Sequence, residues 1–298
     1  MSENVIEIRN VTRHFGKTVA LEEVSLTVPR GGVFGLVGEN GAGKTTLIRH
    51  VLGLLKAKTG SVQVFGLDPV RDPVGVLGRI GYLSEDRDLP DWMRIEELLR
   101  YSEPLYPSWD SAYAVKLCKM FELDRKQKIG TLSRGQRART GLLIAVAHRP
   151  ELLLLDEPSS GLDPVVRRDI LGAIIRTVAQ EGRTVLFSSH LLEEVERVVD
   201  SVAMMHRGRL VLTDSLEHIK QSHHIVTLRF SESQGKKPEL PGMFSCVGSG
   251  LEWTFLCEGG LDQLRSATQR LGGQIVDEKE PTLDEVFVTR VKRYNSYE

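Results

Sequence analysis

From Val5 to Asn10 valine and isoleucine alternate with charged residues, and Val24, Leu26 and Val28 keep the same period of two up to Pro29, which predicts two strands. A purer apolar run, Val33-Phe34-Gly35-Leu36-Val37, predicts a third strand, and Thr46 to Leu55 then spaces its apolar residues as a helix does. Thr59 to Gly66 reads as a turn feeding a strand, and Ile80 to Leu83 as a short strand running into the acidic loop Ser84-Glu85-Asp86. From Pro90 to about Ile129 the spacing turns helical, with Ile95, Leu98 and Leu99, then Val115, Leu117, Met120 and Phe121. Ser133 stands where an N-cap belongs, ahead of a helix whose apolar face holds Leu142, Leu143 and Val146. Leu152 to Leu155 are too few for a helix and lie between Pro150 and Pro158, so they predict a strand buried on both faces, the kind parallel sheets supply. A helix from about Val165 to Gln180 follows, then a second buried strand from Thr184, then two short strands about Arg207-Gly208. Beyond Gln221 the pattern gives a strand at Ile225 to Phe230, a polar loop at Ser231 to Pro241 and a strand at Leu251 to Cys257. An amphipathic helix at Leu261 to Leu271, a short strand at Gln274 to Val276 and a closing helix at Thr282 to Val291 complete it. The expected fold class is α/β with a mainly parallel sheet. A main domain spans 1–221, with a helical subdomain at about 86–150, and a small α+β appendage spans 222–298.

The chemistry gathers at the predicted carboxyl ends of the buried strands. Gly38-Glu39-Asn40-Gly41-Ala42-Gly43-Lys44-Thr45 sits between strand and helix, the context of a P-loop, and the core reads as a P-loop NTPase. Its glycines let the backbone approach a phosphate chain, and the helix start behind it offers a positive dipole end. Lys44 can reach the β- and γ-phosphates and Thr45 can ligate Mg²⁺. A glycine-rich turn with no ligand is the competing reading. Asp156 and Glu157 end the leucine strand, placed to hold Mg²⁺ and to deprotonate an attacking water; a solvated carboxylate pair is the alternative. His190 ends the next strand, where a polar contact to phosphate or water competes with a structural role. Phe15 can stack on an adenine ring or pack in the core, and Ser133 with Gly135 forms a second helix start open to an anion.

Composition excludes more than it selects. Lys and Arg number 39 against 40 Asp and Glu, a net charge of −1, so no global basic field points to nucleic acid. The three cysteines, Cys118, Cys246 and Cys257, lack C-x-x-C spacing and suggest neither a disulfide framework nor zinc, which fits a reducing cytosol. No apolar run approaches the roughly 18 residues of a spanning helix, so the expectation is a soluble chain or one held at a membrane through a partner. Trp92, Met93, Tyr101, Tyr106 and Trp109 either line a docking groove or pack within the helical subdomain, the plainer reading.

Taken in order, these motifs resemble the nucleotide-binding subunits of ABC transporters over residues 4 to about 218. Gly38 to Thr45 resembles the Walker A motif, Leu132 to Gln136 the signature, Leu152 to Glu157 Walker B, Ser160 to Asp163 the D-loop, His190 the H-loop and Phe15 the A-loop aromatic. Pro281 to Phe287 resembles the tail of ATPases serving ABC-2-type exporters. The resemblance implies an ATPase core with an added antiparallel β subdomain. It implies ATP contacts from Phe15, Gly38, Glu39, Asn40, Gly41, Ala42, Gly43, Lys44, Thr45, Thr46, Glu85, Ser133, Gly135, Gln136 and Asp163. Catalysis would fall to Glu157, His190 and Lys44, and Mg²⁺ to Thr45, Asp156 and Glu85. It further implies a head-to-tail dimer of identical or different subunits around two Mg·ATP, an integral membrane permease as partner, and a peripheral place on the cytoplasmic face of the membrane. Two positions depart from the usual pattern: Arg134 replaces the first glycine of the signature, and Glu85 stands where glutamine is usual. A non-transport ATPase of this family acting on nucleic acid or ribosomes, or an ATP-sensing regulatory module, are the alternative functions.

Overall fold

The computed structural model describes residues 3–168, 170–172, 182–234 and 236–295. They form two compact units, one of residues 1–191 with 205–210 and the other of 192–204 with 211–298. The first carries β1 (Asn4–Phe15), β2 (Thr18–Pro29), β3 (Gly32–Gly38), α1 (Lys44–Val51), β4 (Thr59–Val64), α2 (Pro73–Leu77), β5 (Ile80–Leu83), α3 (Ile95–Ser102), α4 (Ser111–Met120), α5 (Arg134–Ala147), β6 (Leu152–Asp156) and β7 (Thr184–Ser189). Residues 164–168 and 170–172 are helical, and the rest of the helix expected at 165–180 lies outside the described residues.

Order in the parallel sheet runs β5, β6, β7, β3. In register Leu83 faces Leu155, Leu155 faces Phe187, and Phe187 faces Gly35. Every residue of β6 and β7 is buried, as apolar runs with helices on both sides require. Because all four strands run the same way, the loops after Leu83, Asp156, Ser189 and Gly38 leave the sheet at one edge.

A separate antiparallel sheet has β1 between β2 and β4, with Ile6 opposite both Val28 and Val64. Its strand β1 is twice as long as the alternation from Val5 to Asn10 predicts. Asn10 and Glu23 take positive φ at a shift in register, which breaks the period of two, and pairing resumes from Val11 with Val24 to Phe15 with Thr18. In the helical region α4 packs on α5. Tyr106 stacks on the buried His148 with ring centroids 3.9 Å apart and on Trp109 at 6.3 Å, whereas Trp92 and Tyr101 stay exposed.

In the second unit come α6 (Leu192–Glu196), β8 (Ser201–His206), β9 (Arg209–Ser215), α7 (Leu216–Ser222), β10 (His223–Gln234), β11 (Met243–Glu258), α8 (Leu261–Arg270), β12 (Gly273–Lys279) and α9 (Leu283–Asn295), the turn of β8 and β9 at 205–210 excepted. An antiparallel sheet ordered β11, β10, β12 turns Val226, Leu228, Phe230, Phe255 and Cys257 onto Leu264 and Ala267 of α8. Residues 192–204 and 211–221 group here. Glu196 accepts from the Leu283 N–H at 3.3 Å and pairs with Lys220 at 2.9 Å, and α6 packs on α9. The strands outrun the apolar spans: β10 continues to Gln234, into the expected polar loop, and β11 begins at Met243. In the added part of β10, Ser231 to Gln234 are polar and Gln234 pairs with Gly250, whereas the added part of β11 brings Met243 and Cys246 onto the core. Among the described residues no helix is long and apolar enough to cross a membrane.

Candidate nucleotide site

The loop after β3 is shaped by its glycines. Gly43 has φ +107°, and a Cβ there would stand 2.5 Å from the Ala20 carbonyl oxygen; at Gly38 it would stand 2.3 Å from that of Met205. Only glycine lets the loop press against both neighbours and turn into α1, whose first residues are Lys44 and Thr45. The turn 205–210 supports it from outside, the Gly208 N–H donating to the Ala42 carbonyl at 3.0 Å.

Lys44 is 5 % exposed. It donates to the carbonyls of Gly38 at 2.6 Å and Glu39 at 3.1 Å, and its Nζ lies 3.1 Å from Oε1 of Glu157. The other Glu157 oxygen, Oε2, accepts from Nδ1–H of His190 at 2.8 Å, since a carboxylate can only accept. Glu157 itself has φ +46°, an uncommon conformation for a residue with a side chain, and its N–H is held by Oγ of Ser188 at 3.0 Å. The Ser188 hydroxyl donates to Oδ1 of Asp156 at 2.6 Å. One serine on β7 thus fixes both carboxylate residues at the end of β6. Burial first, and the Asp156 carboxylate second, push Tyr82 on β5 up to about 12.

A cavity of about 280 Å³ opens over this cluster, lined by Asn40, Gly41, Ala42, Gly43, Lys44, Thr45, Thr46, Glu85 and Glu157 and closed on one side by Thr18, Val19 and Ala20 of β2. Glu85 enters from the loop after β5, its carboxylate 3.5 Å from the Ser160 hydroxyl. Phe15 lies outside the lining, 46 % exposed, with the Arg13 guanidinium 4.7 Å over its ring. Ser133, Gly135, Gln136 and Asp163 are also outside it. Ser133 and Gln136 cap α5 reciprocally at 3.2 and 2.9 Å, and a Cβ on Gly135 would meet Val166 at 2.8 Å. Asp163 accepts from the N–H groups of Val165 and Val166, which holds its carboxyl below the usual range.

Residues 21–160 match the family described as ABC transporter. Over 219 residues the chain is 36 % identical to the ABC transporter ATP-binding protein NatA of Bacillus subtilis, covering 71 % of this chain and 88 % of that protein. The chain belongs to the ATP-binding proteins of ABC transporters. YtrB of Bacillus subtilis, another ABC transporter ATP-binding protein, is 28 % identical over 96 % of this chain and 98 % of its own length. The bacitracin transport ATP-binding protein BcrA of Enterococcus faecalis is 31 % identical over 78 % of this chain and 76 % of that protein. A solved ATP-binding subunit of an ABC transporter superposes with a TM-score of 0.67 at 28 % identity, covering 72 % of this chain and 92 % of that one.

As an ATPase of this family the chain carries its cavity on the P-loop, β2 and the loops after β5 and β6. Pattern reading does not single out Ser188, Thr18 or Val19. Ser188 carries no spacing signal because its role comes from the neighbouring strand, and Thr18 and Val19 enter through a hairpin whose strand outlasts its alternation.

Proposed function

We propose that this chain hydrolyses Mg·ATP for an ABC-2-type exporter, as one of two ATP-binding subunits that close head to tail and drive an integral membrane permease from its cytoplasmic face. The observation that carries the hydrolytic part is the Glu157 carboxylate, 5 % exposed, set between Lys44 and His190 at the cavity. The Lys44 ammonium donates to two carbonyls and lies 3.1 Å from Oε1 of Glu157 as an ion pair, an oxygen that accepts no hydrogen bond there, so incoming phosphate oxygens compete with Glu157 for its charge. Once Lys44 turns to phosphate, Glu157 is left with His190 as its partner and is free to take the proton of an attacking water, while His190 holds the carboxylate in line.

The residues fit a magnesium ion. Thr45 and Glu85 put a hydroxyl and a carboxylate on the cavity and Asp156 precedes Glu157 at the end of β6, hard oxygen donors of the kind an ion takes that keeps waters and binds through one or two carboxylates and the substrate phosphates. Thr45, Asp156 and Glu85 would hold it, and bound there it neutralises charge on the phosphates. The export reading is supported by the likeness to the bacitracin transport protein and by the Pro281 to Phe287 tail. Ser133, Gly135 and Arg134 at the start of α5 lie outside this chain's own cavity lining, and we assign them to an opposing nucleotide.

The test is Glu157→Gln, followed by ATP turnover, ATP binding and mass in solution. Turnover is expected to fall roughly a hundred- to ten-thousand-fold with ATP binding retained and a dimer trapped by ATP. Turnover near that of the natural chain would remove Glu157 from its role.

A further inference from the structure

The turn that follows Glu157 is held from the loop that carries Glu85. Ser160 N–H closes back on the Glu157 carbonyl at 3.1 Å, so residues 157–160 form one turn. The carbonyls of Pro158 and Ser160 point together, and Nη2 of Arg87 donates to both, at 3.2 and 2.6 Å. Arg87 is 8 % exposed. Its own N–H bonds to the Ser84 carbonyl at 3.2 Å with φ +50°, closing the turn that projects Glu85 toward the cavity. A buried guanidinium facing backbone carbonyls costs desolvation that a neutral side chain of similar length would avoid, and burial lowers its proton affinity. The Glu85 carboxylate offsets part of that cost. Both Arg87 bonds leave one nitrogen, Nη2, whose two N–H groups are fixed in the guanidinium plane, so the two carbonyls are held in set directions that the freely rotating ammonium of a lysine does not impose.

We propose that Arg87 is a positioning residue for ATP hydrolysis. It ties the Glu85 turn to the Glu157 turn and so fixes the Glu157 carboxylate against the attacking water. The proposal rests on the reading of Glu157 as the base. Glu157 sits at a positive φ with one backbone anchor, Ser188, before it and the Arg87-held turn after it. Releasing the second anchor lets the carboxylate drift, and displacements on the order of 1 Å cost up to about a hundredfold in rate.

The experiment compares the natural chain with Arg87→Gln, Arg87→Lys and Glu157→Gln in steady-state ATP turnover, ATP affinity and thermal midpoint. Arg87→Gln is expected to lower kcat about ten- to a hundredfold while KM and ATP affinity stay within about twofold, and Arg87→Lys to recover part of the loss. A purely structural clamp would lower the midpoint and ATP affinity together with kcat, and that outcome overturns the proposal, as does an unchanged kcat. Should Arg87→Gln not fold, Arg87→Lys decides: a lowered kcat at constant KM supports the assignment and a natural kcat rejects it. If Glu157→Gln keeps its turnover, the reading of Glu157 fails. If Glu157→Gln is dead while the Arg87 variants turn over normally, the positioning role alone fails.

Discussion

Gly43 shows how tightly single residues define the cavity. Its φ of +107° and the 2.5 Å approach of the Ala20 carbonyl to a Cβ both forbid a side chain, and the next residue is Lys44. At Gly41 φ is +81° but nothing lies within 4 Å of the added atom. Gly43→Ala is therefore expected to cost more than the about 1–3 kcal/mol of backbone strain alone and to weaken ATP binding, because the clash is relieved only by shifting Lys44. Gly41→Ala should pay the strain without the clash. Chemical unfolding and ATP titration of the two variants give the comparison; equal losses would show that backbone strain, and no close approach, shapes the loop. At this scale the positions of Lys44, Thr45 and Glu157 on one cavity were legible from strand ends and glycines, and that of Glu85 only from the family resemblance. The contacts were not: nothing in spacing shows that Glu157 takes a positive φ or that Lys44 already forms an ion pair with it. Nor does it show that Gln136 spends its side chain capping Ser133.

Among the elements β6 sets the site most directly, because it lies between β5 and β7 and delivers Asp156 and Glu157 to the common edge. Leu152, Leu153, Leu154 and Leu155 are 0–1 % exposed, so their side chains lock the strand to layers on both faces. Leu154→Ala should cost about 2–5 kcal/mol, read as a fall in the urea midpoint. Turnover per folded molecule should stay close to that of the natural chain, since the strand end is fixed separately through Ser188. A turnover loss with the midpoint unchanged would contradict this division of labour. The strand was legible because four leucines between prolines admit little else. By contrast α2, α6 and α7, at 5, 5 and 7 residues, are too short to show a helical period. In β10 the last four residues, Ser231, Glu232, Ser233 and Gln234, carry no apolar signal though their backbones are strand.

Near-neutral charge over the whole molecule hides two titrations of opposite chemistry. His50 and His148 in the first unit and His223 in the second are buried, and desolvation lowers each from the ordinary 6.5. His223 also meets the Arg290 guanidinium, its Nε2 accepting at 3.2 Å while Nδ1–H donates to the Ile219 carbonyl at 2.9 Å. Below about 6.5 the unfolded chain binds protons that these three rings refuse when folded. Their contribution to stability is therefore complete above that pH and declines as pH falls toward their lowered folded values. Glu151 runs in the same direction at lower pH. Its bonds to Arg79, at 2.6 Å and 2.9 Å, and to Arg30 bring it from 4.5 down to about 2, so its share is present above about 4.5 and is lost as pH falls through about 2. The melting temperature is expected to be level above pH 7, to fall below about 6.5, and to fall further below about 4.5. Glu151→Gln should lower it at neutral pH and flatten the second fall only. His148→Phe, which keeps a ring against Tyr106 and carries no titratable group, should flatten part of the first. A melting temperature that rises between pH 7 and 5 would mean that the three rings hold their protons when folded, and the buried, neutral arrangement described for His148 and His223 would then be wrong.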